Sequence, residues 1–190
     1  MLQEMKHRIK NSIARILAIS RQTAASAESL DGFSRSFSAR LQSMANAQDM
    51  LTRSHWQRAD LGQLLRKELE QVFGDGIDEN SVSGPTIELD ERMTQALGLT
   101  FHELATNALK YGSGSNPAAT LTVRWSLLAT GRKRLLTLDW DERTGLPIAP
   151  PTKRGFGSRL IDANIRGELG GSIERRFVED GLSIHIELPL

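Results

Sequence analysis

The chain has 190 residues, 39% of them hydrophobic and 25% charged, with a net charge of +1 and no cysteine. That length suits one ordinary domain or two small ones with a buried core, and the missing cysteines exclude disulfides, cysteine metal sites and thiol catalysis. A near-zero charge argues against nucleic acid or an anionic membrane face as partner, and no apolar run is long enough to cross a bilayer. A cytoplasmic protein without membrane contact is expected. The N-terminus, MLQEMKHRIKN, is polar and helical in pattern, with no cleavable signal.

Two helical patterns come first. Leu2, Met5, Ile9, Ile13 and Ile16 recur at spacings of three and four, which is one face of a helix. A second stripe runs through Phe33, Phe37, Leu41, Met44 and Leu51, and the polar segment ASAESLDG between them suits an antiparallel connection. The two stripes are expected to cover one another. SHWQRAD breaks the pattern and marks a boundary between residues 1–55, a helical unit, and residues 60–190.

The second unit alternates. ADLGQLLRKELEQVF reads as a helix, VSGPTIEL as one short strand, and Asp90 to Tyr111 as a longer helix. LTVRWSLL and RLLTLDW are strands joined by ATGRK. A proline-rich loop leads to a helix from about Ser158 to Leu169, and SIERRFV and LSIHIEL close the chain as a hairpin through EDG. The expected fold is an antiparallel helical hairpin followed by an α+β sandwich, one sheet covered by helices.

FHELATNALKYG is the most informative segment. At 100° per residue, Leu97, Phe101, Leu104 and Ala108 share a face that should pack on the sheet, while Glu103, Asn107 and Lys110 share another, with Tyr111 at its edge. Magnesium prefers oxygen ligands, and the Asn107 side-chain carbonyl can supply one. Glu103 can orient or deprotonate a nucleophile, Lys110 can neutralise phosphate, and Tyr111 offers a flat surface to a base. The same spacing also describes a solvated helix face. Two further segments shift the balance: LDWDERTGLP, a strand ending in acidic residues and a glycine turn, and RGFGSRLI, two glycines opening a helix. Glycines let backbone approach a phosphate closely, and a helix start presents free N–H groups. Lys153, Arg154 and Arg159 flank that second segment.

FHELATNALKYG, LDWDERTG and RGFGSRLI, in that order, resemble the ATP-binding domain of histidine kinases, which has the gyrase-type, or Bergerat, fold. The match is closer to the HWE subfamily, named for a His in the asparagine box and a Trp-x-Glu in the first glycine box: His102 stands at the first, Trp140 and Glu142 at the second. MKHRIKN resembles the family's phosphoacceptor box, and QDMLTRSHWQRADL its exit into the ATP domain. The resemblance implies ATP and magnesium as cofactors, with His7 as phosphoacceptor, Asn107 as magnesium ligand and Glu103 as the acidic residue beside it. It implies Glu142 as acceptor of the adenine amino group, and Gly145, Gly155, Gly157 and Ser158 in the turn and phosphate loop. Thr144 departs from the expected glycine, while Gly145 keeps the turn. LPIAPPTKR is short and leaves no room for a long lid.

His7 lies roughly 160° around its helix from the centre of the apolar stripe, on the exposed side an acceptor needs. A neutral imidazole is the attacking form, and an ordinary pKa of about 6.5 supplies it near pH 7. Many histidine kinases place an acid directly after the acceptor; here that residue is Arg8, which leaves Glu4 or Glu103 as base. Asn11, one turn on, can position a water or the acceptor aspartate. His102 lies roughly 100° from Glu103 and is expected to pack or support, and Trp140 is expected in the core. The implied partners are a response-regulator receiver domain, a second copy of the chain completing a four-helix bundle, and an upstream sensor domain or separate sensor protein, since six residues before His7 leave no room for one. Competing readings are a phosphotransfer protein without ATP binding, and a Bergerat-fold ATPase or anti-sigma-type serine kinase.

Overall fold

Helix α1 (Leu2–Ala24) and helix α2 (Leu30–Arg53) form the expected hairpin. The second starts where Ser29 Oγ accepts the Gly32 amide at 3.0 Å, a side-chain cap on an otherwise orphaned donor. The computed structural model describes residues 2–53, 58–74, 81–112, 119–130, 133–145 and 155–190. Ser54 to Gln57, where the predicted domain boundary falls, lie outside these residues.

The stripes do not simply cover one another. In α1, Ile19 and Thr23 are buried, whereas Ile9, Ile13 and Leu17 are each about half exposed, at 53%, 52% and 50%. In α2, Phe33, Phe37, Leu41 and Met44 are half-buried, and Phe33 stacks on Phe37. Leu51 of the stripe is fully buried, and with Ser43, Asn46 and Ala47 on the adjoining side of α2 it packs against the second unit. Helical periodicity says which residues share a face, not what that face meets. Ser43 and Asn46 are polar and buried because Glu68 (3.0 Å) and Gln71 (2.7 Å) satisfy them.

Strand β1 (Ala59–Asp60) leads into α3 (Leu61–Phe73), capped by Asp60, which accepts the Gln63 amide. The segment expected as one strand is two. Val82–Ser83 (β2) runs parallel to β4 (Thr120–Thr130), while Glu88–Leu89 (β3) pairs antiparallel with β1. Pro85 between them has no amide to donate to a ladder, and its carbonyl accepts the Trp125 indole N–H at 2.7 Å instead. Helix α4 (Glu91–Tyr111) is capped by Asp90, which accepts the Met93 amide at 2.7 Å. Strand β5 (Lys133–Arg143) pairs with β4 along its whole length, and β6 (Ser172–Val178) and β7 (Gly181–Pro189) form the closing hairpin. The main sheet runs β2-β4-β5-β7-β6, antiparallel except at β2.

Helices α3, α4 and α5 (Phe156–Asp162) cover one face of the sheet. Leu97, Phe101, Leu104 and Ala108 of α4 are buried as expected, against Val123, Leu136, Leu138 and Trp140 of the sheet. The last helix is not uniform: it continues as a π-helical turn, Ala163–Glu168. Asn164 in that turn is buried and donates to Ala96 O (3.1 Å) and Thr100 Oγ1 (3.3 Å) of α4. Among the described residues, no helix is long and apolar enough to cross a membrane.

The other sheet face carries charge. His185 of β7 sits 2.6 Å from Asp139 and 3.6 Å from Glu187, with Glu174 across the β6–β7 ladder. The Asp139 hydrogen bond raises the imidazole pKa above its ordinary 6.5, against a smaller lowering by burial. A folded pKa above the unfolded one adds stability that is complete below about pH 6.5 and is lost as pH rises through the folded value. His185→Gln should therefore flatten the fall in unfolding free energy above that pH, measured by urea denaturation across a pH series; an unchanged slope would assign it to other groups.

Candidate functional site

The site grows from α4. Glu103 and Asn107, four residues apart, lie on the same side of the helix, and the start of α5 comes down on them. A Cβ placed on Gly157 would lie 2.6 Å from Glu103 Oε2 and 3.6 Å from both polar atoms of the Asn107 amide. Glycine at 157 is thus a requirement of this close approach. Gly155 caps α5 in extended conformation without a side-chain bond, and Ser158 is half-buried beside it.

The predicted polar face does not behave as one surface. Glu103 is buried, Asn107 is half-buried, and Lys110 and Tyr111 are exposed, Tyr111 at 71%. The burial of Glu103 excludes a solvated face at that position, and its cause is a residue the sequence reading missed. Arg40 of α2 grips both carboxylate oxygens of Glu103, Nε to Oε1 at 2.7 Å and Nη2 to Oε2 at 3.0 Å. Its Nη1 donates to Thr23 Oγ1 (3.3 Å) and Ser36 O (3.4 Å), and its guanidinium stacks over Phe156 at 4.3 Å. Both side chains are nearly dry, 11% and 4% exposed, so removing either partner costs about 3–5 kcal/mol. A signal was present: Arg40 sits within the apolar stripe of Phe33, Phe37 and Met44, and a cation there needs a buried anion.

The second corner of the site is on β5. Trp140 and Glu142 point to the same face, as positions i and i+2 must, and both are buried. The Trp140 indole N–H donates to Glu142 Oε1 at 2.9 Å. Trp140 is in the core as expected, but it also holds this carboxylate, which was not foreseen. Glu142 Oε2 lies against Gly112 at the end of α4, where any side chain would collide with it. Thr144 is buried and stitched to the β6–β7 turn through its amide, 2.7 Å from Asp180 O, and Gly145 takes a left-handed φ of +70°.

His102 meets its expectation as a packed, supporting residue. Its Nδ1 faces Glu68 Oε2 at 3.3 Å, and Glu68 Oε1 accepts from Ser43. One residue each from α2, α3 and α4 thus meet in a dry cluster. His7 lies near the start of α1 and Asn11 is exposed one turn later. Thr23, on the same helix as His7, is the residue that shares Arg40 with Glu103, and roughly 24 Å of helix separates the two. The structure therefore groups Glu103, Asn107, Gly155, Gly157 and Ser158, with Glu142 and Gly145 on the neighbouring strand end, and leaves His7 and Asn11 apart. Lys153 and Arg154 lie outside the described residues.

The family model for HWE histidine kinases matches residues 4–86, and the whole chain aligns with a blue-light-activated histidine kinase from Brucella anthropi at 36% identity over 191 residues, covering 99% of this chain. The chain belongs to the HWE histidine kinase family. A blue-light-activated histidine kinase from Brucella ovis is 32% identical over 188 residues. The chain spans 38% of the length of each of these relatives. The histidine kinase domain of the Erythrobacter litoralis EL346 blue-light-activated histidine kinase superposes with a TM-score of 0.63, covering 93% of this chain and 94% of that one at 18% identity, a likeness of fold. His102, Trp140 and Glu142 are all buried.

Trp140→Phe keeps the ring but removes the indole donor to the buried Glu142 carboxylate. The expected loss in unfolding free energy is about 1–3 kcal/mol, read from urea denaturation; an unchanged midpoint would mean that the indole bond adds nothing.

Proposed function

We propose that this chain binds ATP with magnesium where α4, the end of β5 and the start of α5 converge, and uses it to phosphorylate its own His7. The phosphoryl group then passes to an aspartate of a response-regulator receiver domain. The observation that carries the reading is the convergence of Glu103 and Asn107 on Gly157, an approach of oxygen-bearing side chains to backbone that only glycine permits. Those oxygens fit a magnesium ion, which favours carboxylate and amide oxygen, and the glycines fit a phosphate chain. Magnesium, when bound, would neutralise the charge that builds on the transferred phosphoryl group.

The chain's own residues have separable tasks. Asn107 would hold magnesium through its amide oxygen. Glu142, oriented by Trp140, accepts from the adenine amino group, and Gly145, Gly155, Gly157 and Ser158 shape the backbone around the phosphates. Lys110, Lys153 and Arg154 supply positive charge for the phosphates, and Tyr111 offers its ring to the base. A neutral nitrogen of His7 attacks the γ-phosphorus; the N–P bond forms, the bond to the β,γ-bridging oxygen breaks, ADP leaves, and the imidazole proton passes to Glu103 or Glu4. Asn11, exposed one turn from His7, faces the incoming receiver domain. The units are residues 1–55 for dimerisation and phosphotransfer and 60–190 for catalysis. Half-exposed Ile9, Ile13 and Leu17 form a ridge at i, i+4, i+8 that supports a second copy completing a four-helix bundle. Cytoplasmic placement and an upstream sensor, within a longer chain or separate, belong to the same reading.

Labelled γ-phosphate should appear on the chain as an acid-labile, base-stable adduct. His7→Ala should abolish it and leave nucleotide binding intact. Asn107→Ala should slow it at least tenfold, about 1.4 kcal/mol in barrier, most sharply at limiting magnesium. Acid-stable label, or normal label in the His7 variant, would replace this reading with a serine kinase or an unrelated ATPase.

A further inference from the structure

Two contacts fix the direction in which α1 lies on the catalytic unit. Near its C-terminal end, Thr23 accepts from Arg40, whose guanidinium stacks on Phe156 at the start of α5. Eight residues back, Arg15 Nη2 is 2.5 Å from Glu168 Oε1, at the far end of the π-helical turn that continues α5. Helix α1 therefore runs antiparallel to α5, its C-terminal end nearest Gly155 and Gly157. His7 lies a further eight residues beyond Arg15, roughly 12 Å along the axis, on the side away from the glycines. Attack on phosphorus needs reacting atoms within about 3–3.5 Å, and this arrangement holds His7 far outside that range of its own chain's site.

Arg40 adds a second block. Its bidentate grip takes one lone-pair position on each Glu103 oxygen and covers the side of the carboxylate that faces α2. The contacts are also unevenly distributed. The C-terminal half of α2, through Ser43, Asn46, Ala47 and Leu51, is set into α3 and α4, whereas the rest of the hairpin buries Ile19 and is otherwise held through Thr23, Arg15 and Arg40 by polar and charged contacts.

We infer that Arg40–Glu103 and Arg15–Glu168 are a latch that holds the kinase at rest: Arg40 masks Glu103, the two pairs pin α1 along α5, and both must open before His7 can be phosphorylated. The hairpin swings about the end of α2 that stays packed. This rests on the kinase reading proposed above and assigns its regulation.

The test uses the full chain with magnesium and ATP, reading the initial rate of acid-labile label. Arg40→Gln should raise that rate at least threefold, with Arg40→Lys, which keeps the charge but not the two-pronged fit, in between. Because Arg40→Gln leaves Glu103 without its partner and can impair folding, a second arm leaves that pair intact. The chain has no cysteine, so Arg15→Cys with Glu168→Cys can be bridged selectively by a bis-methanethiosulfonate reagent. Bridging should cut labelling at least tenfold, and reductant should restore it. A bridged chain that labels at the unbridged rate overturns the latch, as does a folded Arg40→Gln variant with an unchanged or lower rate. Absence of label from the parent chain would overturn the kinase reading itself, and the latch with it.

Discussion

Helix α4 is buried on nearly every side, and most of its buried polar groups are hydrogen-bonded within the protein, His102 Nδ1 being an exception. Its sheet-facing side is ordinary core: Leu97, Phe101, Leu104 and Ala108. Its other sides hold Thr94, Gln95, Thr100, His102 and Glu103, of which all but Gln95 are fully buried. Thr94 and Thr100 return to backbone carbonyls one turn back, and Gln95 reaches Gln48 of α2. His102 meets Glu68 of α3, Glu103 meets Arg40 of α2, and Asn164 of the π-helical turn ties to Thr100. The placement of α2, α3 and the last helix follows from satisfying this one element, and the candidate site is the place where that satisfaction stops, at half-buried Asn107 and the open backbone of Gly157.

His102 and Trp140 stand behind two carboxylates, Glu68 and Glu142, the second of which is proposed to meet nucleotide. Glu68 of α3 accepts from Ser43 of α2 and lies 3.3 Å from His102 of α4, in the buried junction between the hairpin and the second unit. Trp140 holds Glu142 against the end of α4, where Gly112 leaves room for it. The residues proposed to touch nucleotide stand beside these, on backbone whose position they fix.

The legible part of this molecule was the part written in short stretches of sequence. The α4 stripe, the long strands and the two glycines before a helix each lie within a dozen residues, and periodicity reads them directly. Long-range pairs were not legible. Arg40 and Glu103 are 63 positions apart and Ser43 and Glu68 are 25 apart. Glu68 taken alone is one more acid on an amphipathic helix. The hairpin misled for a related reason: the stripe through Ile9 and Ile13 is real, but periodicity carries no information about which surface it meets, and here α2 gives one of its faces to α3 and α4. The segment around Pro85 failed through turn chemistry, because a residue without an amide cannot continue a ladder and its carbonyl was claimed by Trp125.

The central claim is that Asn107, Glu142 and the backbone of Gly145 and Gly155–Ser158 form one nucleotide site. Amide NMR of the isotope-labelled chain, titrated with magnesium and a non-hydrolysable ATP analogue, tests it most directly. The account predicts saturable shifts at Gly112, Gly145 and Phe156 to Ser158 that share a single dissociation constant. No saturable change at those amides, or changes confined to the sheet face around His185, would contradict it.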